Sequence, residues 1–332
     1  MNDASQCNML SQAGNFAKKL AMMTLASDQQ ALAAVLPFEI NQAVVGLGLE
    51  KSDEAVLSYL NFLGGKVPIQ RASFIHVLPK VDIFNAFYES ESEGIISNFE
   101  LDQDVAKRLE RDIRHRLGQS VANITCSVQE GDPLEALLLA ADQTHADLVV
   151  IGQHPEEGPH GILARNLARK VHCAALFVPH QSPEKLERIV VPVDFSDHSV
   201  KALQAAVSLA YRFGNKVEIE AVNVYELPNI SAYRINKTRE ELKEVILEGR
   251  EQAFKVFLDS HLGPDAEKIK TTLIEREWDS VANYLLHYAE NANADLLIMG
   301  AKGHSRVELL LMGSVTENLL TDNERTPVLV VK

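Results

Sequence analysis

Two seven-residue strings, ADLVVIG at 146–152 and ADLLIMG at 294–300, constrain this chain more than any other feature. Each is an apolar run bounded by turn residues, the pattern of a strand buried on both faces. SFIHV at 73–77 recurs as EAVNV at 220–224, and the strand read at 44–49 recurs at 189–194. The offsets run near 145–148 residues, so one unit is duplicated. Within each unit, apolar strands alternate with helical segments. That order dictates parallel sheets with right-handed crossovers.

The first unit reads as strands at 43–49, 73–78, 124–128, 148–151 and 174–178. Helices fall at 53–63, about 97–117, 133–144 and about 161–171. In the second unit, strands fall at 188–194, 217–224, 268–274, 296–299 and 328–331, with helices at 199–213, about 239–261 and 280–291. PHQSPEKLE at 179–187 is polar with two prolines and reads as the joint. We place the domains at 38–180 and 188–332, the linker at 181–187, and an extension at 1–37. The extension has Phe16, Leu20 and Met23 at helical spacing, then a capping-box pair, Ser27 and Gln30, before Pro37. Two short helices are expected there.

The chemistry-bearing pattern closes the second unit. Gly300-x2-Gly303-x9-Gly313-Ser314 lies between two buried strands. Glycines let backbone amides approach a ligand, and a helix N-terminus offers unpaired N–H groups and partial positive charge. Together they cradle phosphate at the C-terminal ends of a parallel sheet. Ser314 and Glu317 have capping-box spacing, which starts a helix at Ser314. Read singly, Gly300 and Gly303 also suit a plain turn, and Ser314 a plain cap.

Taken whole, the pattern resembles the ATP-binding signature of the universal stress protein family, over nearly everything from residue 42 onward. The resemblance implies two tandem Rossmann-like α/β domains, each with a five-stranded parallel sheet of order 3-2-1-4-5. It implies a bound ATP, or AMP or ADP in its place, with Mg2+ as an accompanying ion. It places Val193, Asp194, Val224, Met299, Gly300, Gly303, Arg306, Gly313, Ser314 and Val315 around the nucleotide. In it Asp194 meets the nucleoside and Val224 the adenine. A helix-capping or turn role for Asp194, a core role for Val224 and a solvated Arg306 are open alternatives. It also implies that the edges at 174–178 and 328–331 pair antiparallel, so that one chain imitates a dimer; further homo-oligomerisation stays open.

The first unit departs from the pattern. Leu49 stands at the position read as equivalent to Asp194, Pro155 replaces the second glycine, and Ile162 stands where Ser314 would be. Proline also lacks an amide donor. Domain one is therefore expected to be degenerate, with Val77 alone matching the adenine contact.

The net charge of −14 does not favour nucleic acid or anionic membranes as partners. Cys7, Cys126 and Cys173 show no C-x-x-C spacing and read as reduced thiols of a cytoplasmic protein, with no metal site. No apolar run approaches the ~20 residues of a membrane span. The resemblance implies an ATP-binding stress-response regulator, with a slow ATPase and a non-binding scaffold as alternatives. No catalytic residue is assigned, because phosphoryl transfer needs positioned cations and an oriented nucleophile, and only Lys302 and Arg306 offer themselves as cations.

Overall fold

The computed structural model describes residues 38–48, 52–78, 98–118, 120–153, 160–214, 216–228, 238–303 and 312–332. The extension at 1–37, Leu49, Pro155 and Arg306 lie outside the described residues.

The first half runs β1 (Ile40–Leu47), α1 (Ser52–Gly64), β2 (Ile69–Leu78), α2 (Asn98–Leu117), β3 (Val121–Glu130), α3 (Pro133–Thr144), β4 (Leu148–Gln153), α4 (His160–Lys170) and β5 (Ala174–Pro179). The second runs β6 (Arg188–Pro192), α5 (Asp197–Arg212), β7 (Glu218–Glu226), α6 (Arg239–Leu262), a 3-10 turn at Gly263–Lys268, β8 (Ile269–Arg276), α7 (Val281–Asn291), β9 (Leu296–Gly300), α8 (Ser314–Asp322) and β10 (Val328–Val331). β2 and β3 run longer than their apolar cores suggested. Their added residues include exposed Arg71 and Asn123, which interrupt the apolar run while the ladder continues.

All ten strands form one sheet, in the order β3-β2-β1-β4-β5-β10-β9-β6-β7-β8. Each half has order 3-2-1-4-5 and is parallel throughout; only β5 and β10 pair antiparallel. The junction register maps onto itself. Val328, the counterpart of Ala175, pairs with Phe177, and Val330, the counterpart of Phe177, pairs with Ala175. A local twofold therefore passes beside the Leu176–Leu329 pair, as in an isologous dimer interface.

The two faces of the sheet are covered by separate apolar layers, and both layers mix the halves. One holds Leu60, Leu148, Ile189 and Leu203; the other holds Leu167, Phe177, Leu285 and Leu319. The cores of the two halves therefore run into one another across the β5–β10 junction.

The repeated Ala-Asp of the two heptapeptides has a structural task. Asp147 Oδ2 accepts from the Asn41 and Gln42 amides at 2.7 and 2.9 Å, and Asp295 Oδ2 accepts from those of Glu187 and Arg188 at 2.8 and 3.0 Å. Each carboxylate anchors the start of its half's first strand from the start of the fourth. The residues two before them, His145 and Asn293, take left-handed φ of 51° and 52°, which turns the chain out of the preceding helix.

Two predictions follow from this frame. Asp295→Ala leaves two strand amides unpaired beside a buried site, and should lower stability by about 2–3 kcal/mol in urea unfolding. Val330→Lys places a charge in the buried junction, one residue from its centre. It should make the linker at 181–187 cleavable by protease under conditions where the parent chain resists; unchanged resistance would contradict the junction's role.

Candidate functional site

The site is built at the C-terminal ends of β6, β7 and β9, where a doubly wound sheet opens a crevice. Asn223 on β7 shapes the first wall. Its Nδ2 donates to the Val193 carbonyl at 2.7 Å, and its Oδ1 accepts from Arg250 Nη1 at 2.8 Å. The Arg250 guanidinium lies 5.0 Å over the Tyr225 ring. Both ends of the Asn223 amide are thus occupied, and the backbone at Val193 is held.

Asp194 follows. Its amide donates to Ser199 Oγ at 3.1 Å, and its Oδ1 accepts from Ser199 Oγ at 2.6 Å and from the Ser196 amide at 3.1 Å. Ser196 Oγ in turn caps α5 by accepting from the Ser199 amide at 3.3 Å. The turn-acid role and the site role therefore coexist: Oδ1 holds the β6–α5 turn, while Oδ2 faces the glycine loop.

The counterpart of Asp194 in the first half is not the residue expected from sequence. In the first half the His76 ring nitrogen Nδ1 meets the Leu47 carbonyl at 2.9 Å, as Asn223 meets Val193. The Gly48 amide donates to Asp53 Oδ1 at 3.0 Å, as the Asp194 amide does to Ser199. Both relations give a spacing of 146 (193 − 47 and 194 − 48), so the counterpart of Asp194 is Gly48 and not Leu49. The carboxylate is absent from that position in either register.

The glycines act through contact rather than through special φ. None of Gly300, Gly303 and Gly313 has positive φ. A Cβ at Gly300 would sit 2.5 Å from His198 Cβ and 2.9 Å from its carbonyl oxygen, so this glycine admits the first turn of α5. A Cβ at Gly303 would sit 2.5 Å from Asp194 Oδ2. The Gly313 amide donates to the Ala301 carbonyl at 3.0 Å, and Thr316 Oγ1 donates to the Gly300 carbonyl at 3.1 Å, which ties the start of α8 to the end of β9.

The capping box expected from Ser314 and Glu317 does not form. Gly313 is the N-cap, Ser314 is the first helical residue, and no side chain caps the helix. Glu317 turns away instead, and accepts from Arg169 Nη2 of the first half at 2.9 and 3.0 Å. A side chain in the other half outcompetes the local backbone for that carboxylate.

These elements enclose a cleft of about 260 Å³. Val193, Asp194, Val224, Met299, Gly300, Gly303, Gly313, Ser314 and Val315 all line it. Also lining it, and not singled out from sequence as site residues, are Pro192, Ser199, Val222, Asn223, Val281, Leu285 and Thr316, together with Lys302. Val281 and Leu285 stand one turn apart on α7, a spacing indistinguishable from an ordinary core stripe. Asn223 did leave a signal, since the repeat aligns it with His76. One end of the cleft is apolar, and the other presents backbone amides and a helix N-terminus.

Lys302 brings positive charge to the loop, close enough to act on Lys332 and His198. Lys332 is pushed down to about 8, first by burial and then by Lys302. His198 is also lowered, first by burial and then by Lys201 and Lys302. In the first half, Ile162 on α4 is exposed. Among the described residues, no group of three or more His, Cys, Asp or Glu side chains is placed to hold a metal ion, and no helix is long and apolar enough to cross a membrane.

Comparisons with known proteins agree with this architecture. A universal stress protein of Methanocaldococcus jannaschii, MJ0531, is 32% identical over 146 residues, which is 44% of this chain and 82% of that protein. The Bacillus subtilis universal stress protein YxiE is 25% identical over 154 residues, covering 44% of this chain and 98% of its own. Among solved structures, a universal stress protein from Archaeoglobus fulgidus shares the fold with a TM-score of 0.58 at 18% identity, covering 88% of this chain and 96% of that one. The universal stress protein family model matches twice, at residues 42–179 and 185–332, and the chain belongs to that family in tandem form.

Proposed function

We propose that the second half holds one ATP per chain and that the protein acts as a nucleotide-binding regulator. The observation that carries this reading is the meeting, on one cleft, of the Gly303 loop, the α8 N-terminus and Asp194 Oδ2 opposite the apolar wall of Val222, Val224, Val281 and Leu285. A nucleotide has the same two ends: an apolar base with a polar sugar, and an anionic tail. Phosphate oxygens would accept from amides at Gly303, Ser314 and Val315, while Gly313, whose own amide is held by the Ala301 carbonyl, keeps the α8 N-terminus against the loop; ribose hydroxyls would donate to Asp194, and the base would lie against Val193, Val224 and Met299. Lys302, with Arg306 further along the loop, supplies cationic charge. AMP and ADP would enter by the same nucleoside contacts with fewer phosphate contacts, and Mg2+ would accompany the triphosphate.

A binder accounts for these residues better than an enzyme does. Asp194 is the carboxylate among the described lining residues, and its Oδ1 is committed to the β6–α5 turn. The first half is read as a silent copy. Gly48 offers no carboxylate where Asp194 stands, and Gln153, the counterpart of Ala301, sends its side chain to the Leu320 carbonyl of α8.

Protein purified without added nucleotide should release an adenine nucleotide on acid denaturation. Calorimetric titration with ATP should give a stoichiometry near one per chain. Gly303→Val forces a side chain onto Asp194 Oδ2 and should weaken ATP binding by about tenfold or more. Gly48→Asp alone should not create a second site. Unchanged affinity in Gly303→Val, or a stoichiometry near two, would refute the reading.

A further inference from the structure

Helix α8 belongs by sequence to the second half, and it is held by both halves: by the end of β9 at its start, and by side chains of the first half at both ends. Near its N-terminal end, Arg169 Nη2 on α4 donates to both oxygens of Glu317, at 2.9 and 3.0 Å, and Arg165 Nη1 lies 3.9 Å from the same carboxylate. At its C-terminal end, Gln153 donates to the Leu320 carbonyl, while Asn323 Nδ2 donates to Gln153 Oε1 at 3.4 Å. Gln153 and Asn323 are both buried.

The position of Glu317 makes the first contact consequential. It is the fourth residue of a helix whose N-terminus lines the cleft. A carboxylate in a first turn suits the helix dipole. It also places negative charge about one turn, or 5.4 Å, along the axis from the amides that would receive an anion. Unpaired, it would repel that anion. Both Glu317 and Arg169 are about two-thirds buried, so their pairing is weakly screened by water. The charges are arranged heterologously, since α4 presents Arg165 and Arg169 where α8 presents Glu317.

We propose that Arg169 is a positioning residue for the anion end of the cleft. The first half, silent as a binding site, completes the second half's site in trans by neutralising Glu317 and drawing its carboxylate away from the α8 N-terminus. Arg165 adds to the same field. The inference rests on the nucleotide reading above and identifies the part of the other half on which it depends. The effect grows with ligand charge, so a triphosphate gains more from Arg169 than a monophosphate does.

The test is calorimetric titration of full-length protein with ATP and with AMP, at low and high salt. The variants are Arg169→Ala, Glu317→Gln and the double substitution, with melting curves to confirm folding. Arg169→Ala should weaken ATP binding about fivefold or more and AMP binding less, with the deficit shrinking as salt rises. Glu317→Gln alone should bind ATP no more weakly than the parent. The double variant should recover the parent affinity to within about twofold, because removing the carboxylate removes what Arg169 neutralised. If the parent binds ATP and Arg169→Ala leaves its affinity unchanged, the inference falls and the site stands. If the double variant stays as weak as Arg169→Ala, Arg169 merely docks α8 and the inference is overturned. If the parent binds neither nucleotide, the site reading fails and takes the inference with it.

Discussion

The antiparallel pairing of β5 with β10 is the constraint on which the rest of the molecule depends. An exposed apolar edge such as Ala175–Leu176–Phe177 is an invitation to unwanted pairing, and each half has one. Setting one against the other satisfies both sets of backbone groups and joins two five-stranded sheets into one of ten strands. The helical layers then run across the junction, and residues of both halves share each apolar cluster. Free energy gained at the seam therefore stabilises the whole chain rather than either half.

The backbone keeps a twofold at this seam while the side chains abandon it. Leu176 faces Leu329 in a register that maps onto itself. Either side of it, α4 carries arginines and α8 carries a glutamate, so the surfaces are complementary rather than identical. Two copies of the first half meeting in the same way would bring Arg165 and Arg169 against their own counterparts. A duplicated fold can drift in this manner because the sheet needs only apolar residues at the seam, leaving the flanking helices free to acquire opposite charges.

Much of the fold was legible because burial on both faces writes continuous apolar runs. Leu148–Ile151 and Leu296–Met299 could be read directly, and so could the helix that opens at Pro133; the structure adds its N-cap, Asp132, whose Oδ1 accepts from the Glu135 amide at 2.9 Å. The outer strands were less legible, since exposed residues such as Arg71 and Asn123 break the run while their backbones stay paired. In the cleft, glycine spacing marked a loop that lines it, but gave only part of the reason for the glycines. Gly300 is required by the backbone of His198, and Gly303 by Asp194 Oδ2, contacts between segments a hundred residues apart in sequence.

The sequence by itself determined the duplication, the parallel α/β architecture and the loop that leads from β9 to α8. These follow from local periodicity and spacing, which a chain carries in one dimension. Tertiary structure decided the register that makes Gly48 the counterpart of Asp194, the replacement of a Ser314–Glu317 capping box by a Glu317–Arg169 pair, and the use of Gln153 to hold the end of a helix from the other half. Each of these is a competition between a local partner and a distant one. Sequence spacing shows only the local partner, and packing brings the distant one within hydrogen-bonding reach.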